Sequence, residues 1–275
     1  MKFVIIGTGF IFRNHLQAIR QTGGEIVDVC DITHGRGEEW KKVVKNPEAD
    51  CVVILAPNYL HYPIAVAANE AGKIVLSEKP LAIRPADVKD LARRKNIFVV
   101  QQLRYHCEYQ RLKAEISPDK HYNIKMDISV YRDQHYFDGW KGNAQKSGGP
   151  LFTMGPHYFE VLLNLFGPAR EICTSFFDGK TGVGRISGAN YDCDWRVSVA
   201  AKIDEPWKRE FIINGIATNF SKKENLAEEN LHHFVYQDLL QGKGVTPSEV
   251  LPVIELIENL YLSCQEGQPI NKAVT

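Results

Sequence analysis

The sequence predicts an α/β fold in two parts: a doubly wound parallel sheet, then an α+β domain with a mainly antiparallel open sheet. Two observations lead there. Through the first hundred residues, apolar runs without polar alternation take turns with helical patterns, and past residue 101 the hydrophobic period drops to two. Uninterrupted apolar runs separated by helices mark βαβ units, whose strands are covered on both faces.

In order, the strand-like runs are Phe3–Ile6, Ile26–Cys30, Cys51–Leu55, Ile74–Leu76 and Ile97–Val100, with helical patterns near 10–22, 36–46, 61–72 and 84–95 between them. Right-handed crossovers give a Rossmann-type sheet, with its ligand site outside the carboxyl ends of the strands. "HCEYQRLKAEI" (106–116) then reads as a helix, and "YNIKMDISVYR" (122–132) alternates as a half-buried antiparallel strand should. A Gly- and Lys-rich loop (134–149), an apolar helix "LFTMGPHYFEVLLNLF", strands near 170–177, 191–203 and 209–216, and a last helix at 247–265 complete the second part. The expected limits are 1–103 for the first domain and 104–275 for the second.

Composition narrows the function classes. Lys+Arg and Asp+Glu balance at 33 each, so no global field draws the chain to nucleic acid or an anionic membrane. The start "MKFVIIGTGF" is too short for a signal h-region, and no window approaches a transmembrane length. Six scattered cysteines without a CxxC pair suit buried thiols in a reducing cytoplasm; neither a disulfide frame nor a metal site is expected.

"GTGFIF" (7–12) follows the first strand and opens a helix, the context a dinucleotide-binding turn requires. Gly7 permits the tight turn. Gly9 lets backbone approach a pyrophosphate along Gly9, Phe10 and Ile11, at the helix N-terminus. Phe12 stands where a third small residue is usual. Asp31 ends the second strand about twenty residues on, placed to accept from ribose hydroxyls and to repel a 2′-phosphate, which favours NAD over NADP. Arg36, close by, keeps NADP open. Pro57-Asn58 ends the third strand with His61 just beyond, and Glu78-Lys79-Pro80 ends the fourth. Taken alone, Pro57-Asn58 is a turn, Lys79 is as well read as a solvated strand-end lysine, and His157 is better read as a core histidine.

Together the blocks say more. "GTGFIFRNH", "PNYLHYPIA", "SEKPLA" and "GGPLFTMGPHYFEVLLNLFG", in this order and spacing, resemble the glucose–fructose oxidoreductase / inositol dehydrogenase (Gfo/Idh/MocA) family over nearly the whole chain. "QQLRYH", "GWKGNAQKSGG", "INGIATNF" and "QGKGVTPSEVLPVIELIENLYLS" are similar to its UDP-N-acetylglucosaminuronate 3-dehydrogenases. Those are NAD-dependent enzymes of bacterial surface-polysaccharide (lipopolysaccharide) synthesis. The resemblance implies NAD as cofactor, held by Gly7, Gly9, Phe10, Ile11, Asp31, Pro57, Asn58, His61, Glu78 and Lys79. It implies Lys79 and His157 as catalytic residues, the lysine beside the nicotinamide and the reacting hydroxyl, the histidine opposite. Thr153 departs from the family, where Asp or Asn precedes the histidine by four residues; Thr cannot relay a proton. Substrate contacts are expected from Arg104, Trp140, Lys141, Thr153 and His157, with Arg132 and Lys146 as further cations. The alternatives are a dehydrogenase of a free sugar, inositol or polyol, and a catalytically silent cofactor-binding regulator. A homo-oligomer, dimer or tetramer, is expected through the open second sheet.

Overall fold

The computed structural model describes residues 1–32, 38–220, 231–266 and 270–271. Two compact units result, neither contiguous in sequence: Met1–Gln102 with Ala227–Leu251, and Leu103–Leu226 with Pro252–Thr275. The first thus takes in residues 227–251, beyond the expected 1–103.

In the first unit β1 (Lys2–Ile6), β2 (Glu25–Cys30), β3 (Cys51–Ile54), β4 (Ile74–Ser77) and β5 (Ile97–Val99) form a wholly parallel sheet, order β2-β1-β3-β4-β5. Phe3–Ile6 and Cys51–Ile54 are fully buried, so the apolar runs of the sequence form the centre of the sheet. The connecting helices are α1 (Phe12–Gln21), α2 (Trp40–Val43), α3 (Asn58–Glu70) and α4 (Pro85–Leu91). The expected helix at 36–46 is described only as α2; residues 33–37, including Arg36, lie outside the described residues. From β1 the chain steps to β2 on one side, then crosses to β3 on the other. The winding therefore reverses between β1 and β3, where an open α/β sheet forms its ligand crevice.

The second unit opens with α5 (Cys107–Glu115) and β6 (Tyr122–Ser129). Then follow α6 (Gln134–Asp138), α7 (Ala144–Ser147), α8 (Pro150–Met154), α9 (Pro156–Phe166), β7 (Glu171–Phe177), β8 (Thr181–Ser187), β9 (Tyr191–Ser198), β10 (Lys208–Ile213) and β11 (Ile216–Asn219). With β12 (Ile270–Asn271) the strands order as β11-β10-β6-β9-β8-β7-β12. Among the described strands of this second sheet only the β6–β9 pair is parallel; the other neighbours are antiparallel. Tyr122, Ile124, Met126 and Ile128 of β6 and Tyr191, Cys193, Trp195 and Val197 of β9 are buried at period two, and α9 packs its Phe159 edge-on against Trp195.

Several expectations change. The single strand at 209–216 is the hairpin β10–β11, turning at Asn214-Gly215, whose φ angles of 49° and 85° are both left-handed. The helix read through 151–166 is α8 and α9, parted at Gly155, where a Cβ would meet the Leu151 carbonyl oxygen at 2.5 Å. β9 stops at Ser198 rather than 203, the loop at 134–149 holds α6 and α7, and β8 was not expected.

Two further helices are described between β11 and β12. α10 (His232–Leu240), also unexpected, buries His232, Val235, Tyr236 and Leu239, and Tyr236 packs edge-on to Phe3 with ring centres 5.6 Å apart. α11 (Pro247–Glu266) starts with half of a capping box: Glu249 reaches back and accepts from both the amide and the hydroxyl of Thr246, at 2.8 and 2.9 Å.

Candidate active site

In the first unit the expected cofactor residues gather at the carboxyl ends of the parallel strands. Gly7 follows β1, with φ of +105° and its amide bonded to the Cys30 carbonyl at 2.8 Å. A Cβ here would lie 2.5 Å from the Leu55 carbonyl oxygen. No other residue fits the crossing of these strand ends. Gly9 differs: beyond its two chain neighbours, no described residue lies within 4 Å of where its Cβ would be. Its bareness answers no packing need, and it leaves open space over the turn. α1 then begins with no side-chain cap at Ile11; the amides of Phe12 and Asn14 bond the Gly9 and Ile11 carbonyls at 3.0 Å, so what the helix end offers an anion is its positive dipole. Phe12, the first residue of α1, does not fill the space over Gly9, while Phe10 projects into solvent, 93% exposed. Asp31 directly follows β2 and is half-buried. This cradle fits a dinucleotide.

Pro57 caps α3 and Asn58, its first residue, is buried. His61 is buried too, with Nδ1 2.6 Å from the Pro80 carbonyl and Nε2 2.7 Å from the Ala56 carbonyl. Burial lowers its pKa against the pull of these two acceptors. Only the imidazolium donates to both; the neutral ring donates to one. Either way the ring ties the end of β3 to the turn after Lys79. Lys79 follows Glu78 at the end of β4, before a cis Lys79–Pro80 peptide.

In the second unit His157 is buried in the first turn of α9. Arg104 Nε donates to Glu160 of the same helix at 2.7 Å, so this expected substrate cation is paired with a buried carboxylate. The Thr153 hydroxyl accepts from Tyr136 at 3.2 Å and donates to the Pro150 carbonyl at 3.3 Å. Trp140 and Lys141 line a cavity of about 510 Å³ with Tyr131, Arg132, Tyr136 and Trp207. The Arg132 guanidinium lies 5.3 Å from the Tyr136 ring and 5.2 Å from Trp207; Lys141 Nζ lies 5.2 Å from Tyr136 and 5.7 Å from Trp140. Arg132 Nε is buried without a hydrogen-bond partner. Burial first, then the Arg132 charge, lowers the Lys141 pKa. Two facing cations among rings favour an anion with an aromatic group. Lys146 is exposed and lines neither this cavity nor the neighbouring one of about 350 Å³ that includes Thr153. The sequence reading lacks Tyr136 and Trp207; the mixed basic and aromatic stretch 131–141 is the available signal for Tyr136, and no local signal marks Trp207.

Residues 1–100 match the model of an oxidoreductase family with an NAD-binding Rossmann fold, Gfo/Idh/MocA, which bears out the resemblance; the first unit carries an NAD-binding Rossmann domain. An uncharacterised oxidoreductase of Synechocystis is 29% identical over 201 residues, 64% of this chain and 54% of that protein. Inositol 2-dehydrogenase of Salmonella paratyphi B is 33% identical over 135 residues, 41% of this chain and 40% of the relative. The chain thus spans about half or less of the length of these curated relatives. Among solved structures, the WlbA (WbpB) dehydrogenase from Thermus thermophilus, in complex with NAD and UDP-GlcNAcA, superposes with a TM-score of 0.85 at 24% identity, covering 100% of this chain and 97% of that one. Scyllo-inositol dehydrogenase from Lactobacillus casei gives 0.79 at 14% identity, covering 98% of each. At such identities the likeness establishes the shared fold. Among the described residues no helix is long and apolar enough to cross a membrane.

Proposed function

We propose that the protein is an NAD-dependent dehydrogenase that oxidises the C3 hydroxyl of a UDP-N-acetylated amino-sugar uronic acid, a cytoplasmic step in surface-polysaccharide (lipopolysaccharide O-antigen) synthesis. The observation that carries this reading is the cavity around Arg132 and Lys141. Arg132 and Lys141 outnumber Asp133, the one carboxylate in the lining, so a diphosphate or carboxylate suits the cavity, and a uracil supplies a face for Tyr136, Trp140 or Trp207. An uncharged polyol needs none of this.

In this reading Gly7 to Ile11 hold the pyrophosphate, and Asp31 the adenosine ribose. Bound NAD⁺ supplies the acceptor for the hydride leaving C3. Lys79 hydrogen-bonds the reacting hydroxyl oxygen and stabilises the negative charge that builds there. His157 takes the hydroxyl proton, so the products are a 3-keto sugar and NADH, with the proton left on the histidine. Thr153 binds a sugar hydroxyl without exchanging protons. The exposed Phe176 of β7 and Ile216 of β11 are consistent with pairing of copies through the sheet of the second unit.

A second reading, an inositol or free-sugar dehydrogenase, is favoured by the 33% identity to inositol 2-dehydrogenase. The test follows NADH formation with NAD⁺ and, in parallel, UDP-N-acetylglucosaminuronate and myo-inositol. Turnover of the nucleotide sugar alone is expected. Turnover of inositol alone overturns the first reading, and tight binding of NADH without turnover of either puts a regulator in its place.

A further inference from the structure

The acid ahead of Lys79 does not face solvent. Glu78 is 8% exposed and lies between His15 of α1 and His232 of α10. His15 Nε2 is 3.0 Å from Glu78 Oε1, and His15 Nδ1 is 2.8 Å from the Tyr236 hydroxyl. His232 Nε2 stands 3.5 Å from the same carboxylate oxygen. The other oxygen, Oε2, accepts from the backbone amide of Lys79 at 3.3 Å.

Protons can be ordered along this line. Burial works to raise the Glu78 pKa, but the hydrogen bonds offered by His15 and His232 lead the causes that outweigh it and hold the group well below the ordinary range. An ionised carboxylate only accepts, so His15 Nε2 carries a proton. Burial lowers the His15 pKa, which keeps the ring neutral and leaves a lone pair on Nδ1. Tyr236 must then donate, and burial raises its pKa well above the usual value, so the phenol keeps its proton.

We propose that Tyr236, His15 and Glu78 form a hydrogen-bond chain of fixed proton order that ends on the amide of Lys79, and that Tyr236 and His15 are positioning residues for this lysine. An apolar residue in place of Glu78 would avoid the cost of burying a charge. The chain spends that cost at the residue preceding the lysine and draws its members from three elements far apart in sequence. A buried polar network of this kind rigidifies its site when every member is satisfied. His15, Glu78 and His232 also offer ligand atoms within 4.8 Å of one another, a donor set that suits zinc. The shared proton already accounts for the His15–Glu78 contact, and zinc would have to displace it.

The inference rests on the reading of Lys79 as catalytic, so its test has one arm independent of turnover. Amide hydrogen exchange of the full chain is measured for wild type, Tyr236→Phe, His15→Gln and His15→Ala. The Lys79 amide is expected to exchange roughly tenfold faster in Tyr236→Phe and His15→Ala, with amides of β3 unchanged, and His15→Gln, which keeps a donor, to recover most of the protection. In the same variants turnover should fall while KM and the Kd for NADH stay near wild type. Uniform acceleration across the sheet, an unaffected Lys79 amide, or stoichiometric zinc binding that is lost in His232→Ala each overturns the proposal. A wild-type protein without turnover defeats the dehydrogenase reading, and the exchange arm still decides the chain.

Discussion

At the scale of single residues, the two glycines of the nucleotide turn are there for different reasons. Gly7 is demanded by the fold, because its φ and the Leu55 carbonyl exclude any side chain, whereas Gly9 is bare without such a need. Asp31 makes the first prediction. Its carboxylate should hold NAD(H) at least about tenfold more tightly than NADP(H), about 1.4 kcal/mol. Fluorescence titration of wild type and Asp31→Ala checks this, with the gap narrowing in the variant; equal affinities in wild type would remove Asp31 from the ribose. The second prediction concerns the chemistry. Lys79→Ala should lower turnover by roughly a hundredfold with little change in NAD binding, since charge builds on the oxygen only as the hydride leaves. His157→Asn should cost on the order of a hundred to ten thousandfold. The double variant should cost much less than the product if both serve one hydroxyl. Activity that survives in both singles places the proton on another residue.

At the scale of elements, the parallel strands and their glycine turn were legible because unbroken apolar runs have no other stable place than a doubly covered sheet. The β10–β11 hairpin was misread although Asn214-Gly215 is a strong hairpin signal. The flanking residues run apolar on both sides of the turn, which hides the break. α10 was missed although His232, Val235, Tyr236 and Leu239 keep helical spacing; two of the four are polar, and they are buried by hydrogen bonding that no local window reveals. Arg104 was read as a substrate cation because a strand end points to a cleft, and only the fold shows its pairing with Glu160. That pair fixes α9, the helix that carries His157. Arg104→Ala leaves Glu160, 2% exposed at its side chain, without this cation, and urea denaturation should register a loss of about 3 kcal/mol or more. Arg104→Met with Glu160→Leu should recover most of it, because an apolar pair has no charge to bury. Equal stability of Arg104→Ala and wild type would mean that water reaches the carboxylate.

At the scale of the whole molecule, the buried histidines set the response to acid. Burial is the leading cause that lowers His15, His61 and His106. Between these folded values and the unfolded value near 6.5, the unfolded chain binds more protons, so stability rises with pH through that window and is lost on acidification below about 6.5. The slope is at most about 1.4 kcal/mol per pH unit for each histidine. Glu78, depressed in the folded state, adds stability above about 4.3 that disappears as pH falls through its folded pKa. Thermal unfolding between pH 7.5 and 5.5 should show the decline, flatter in His15→Gln. A flat wild-type profile would mean that the rings charge freely in the fold. The discontinuous first unit leads to the last prediction. Residues 227–251 bring Tyr236 onto Phe3 and His15, and the Val245 carbonyl onto the Val99 amide at 2.8 Å, beside the edge strand β5. Val235, Tyr236 and Leu239 each contribute about 1.5–3 kcal/mol by burial, together comparable to the total stability of an ordinary domain, about 5–15 kcal/mol. Residues 1–103 expressed alone should therefore neither unfold cooperatively nor bind NADH, although they contain every expected cofactor residue. The same stretch joined through a flexible linker to 227–251 should regain both, with NADH affinity within about tenfold of the full chain. Cooperative unfolding and full NADH affinity in residues 1–103 alone would show that the returning segment is dispensable, and that the glycine turn and its sheet stand without the buried contacts of α10.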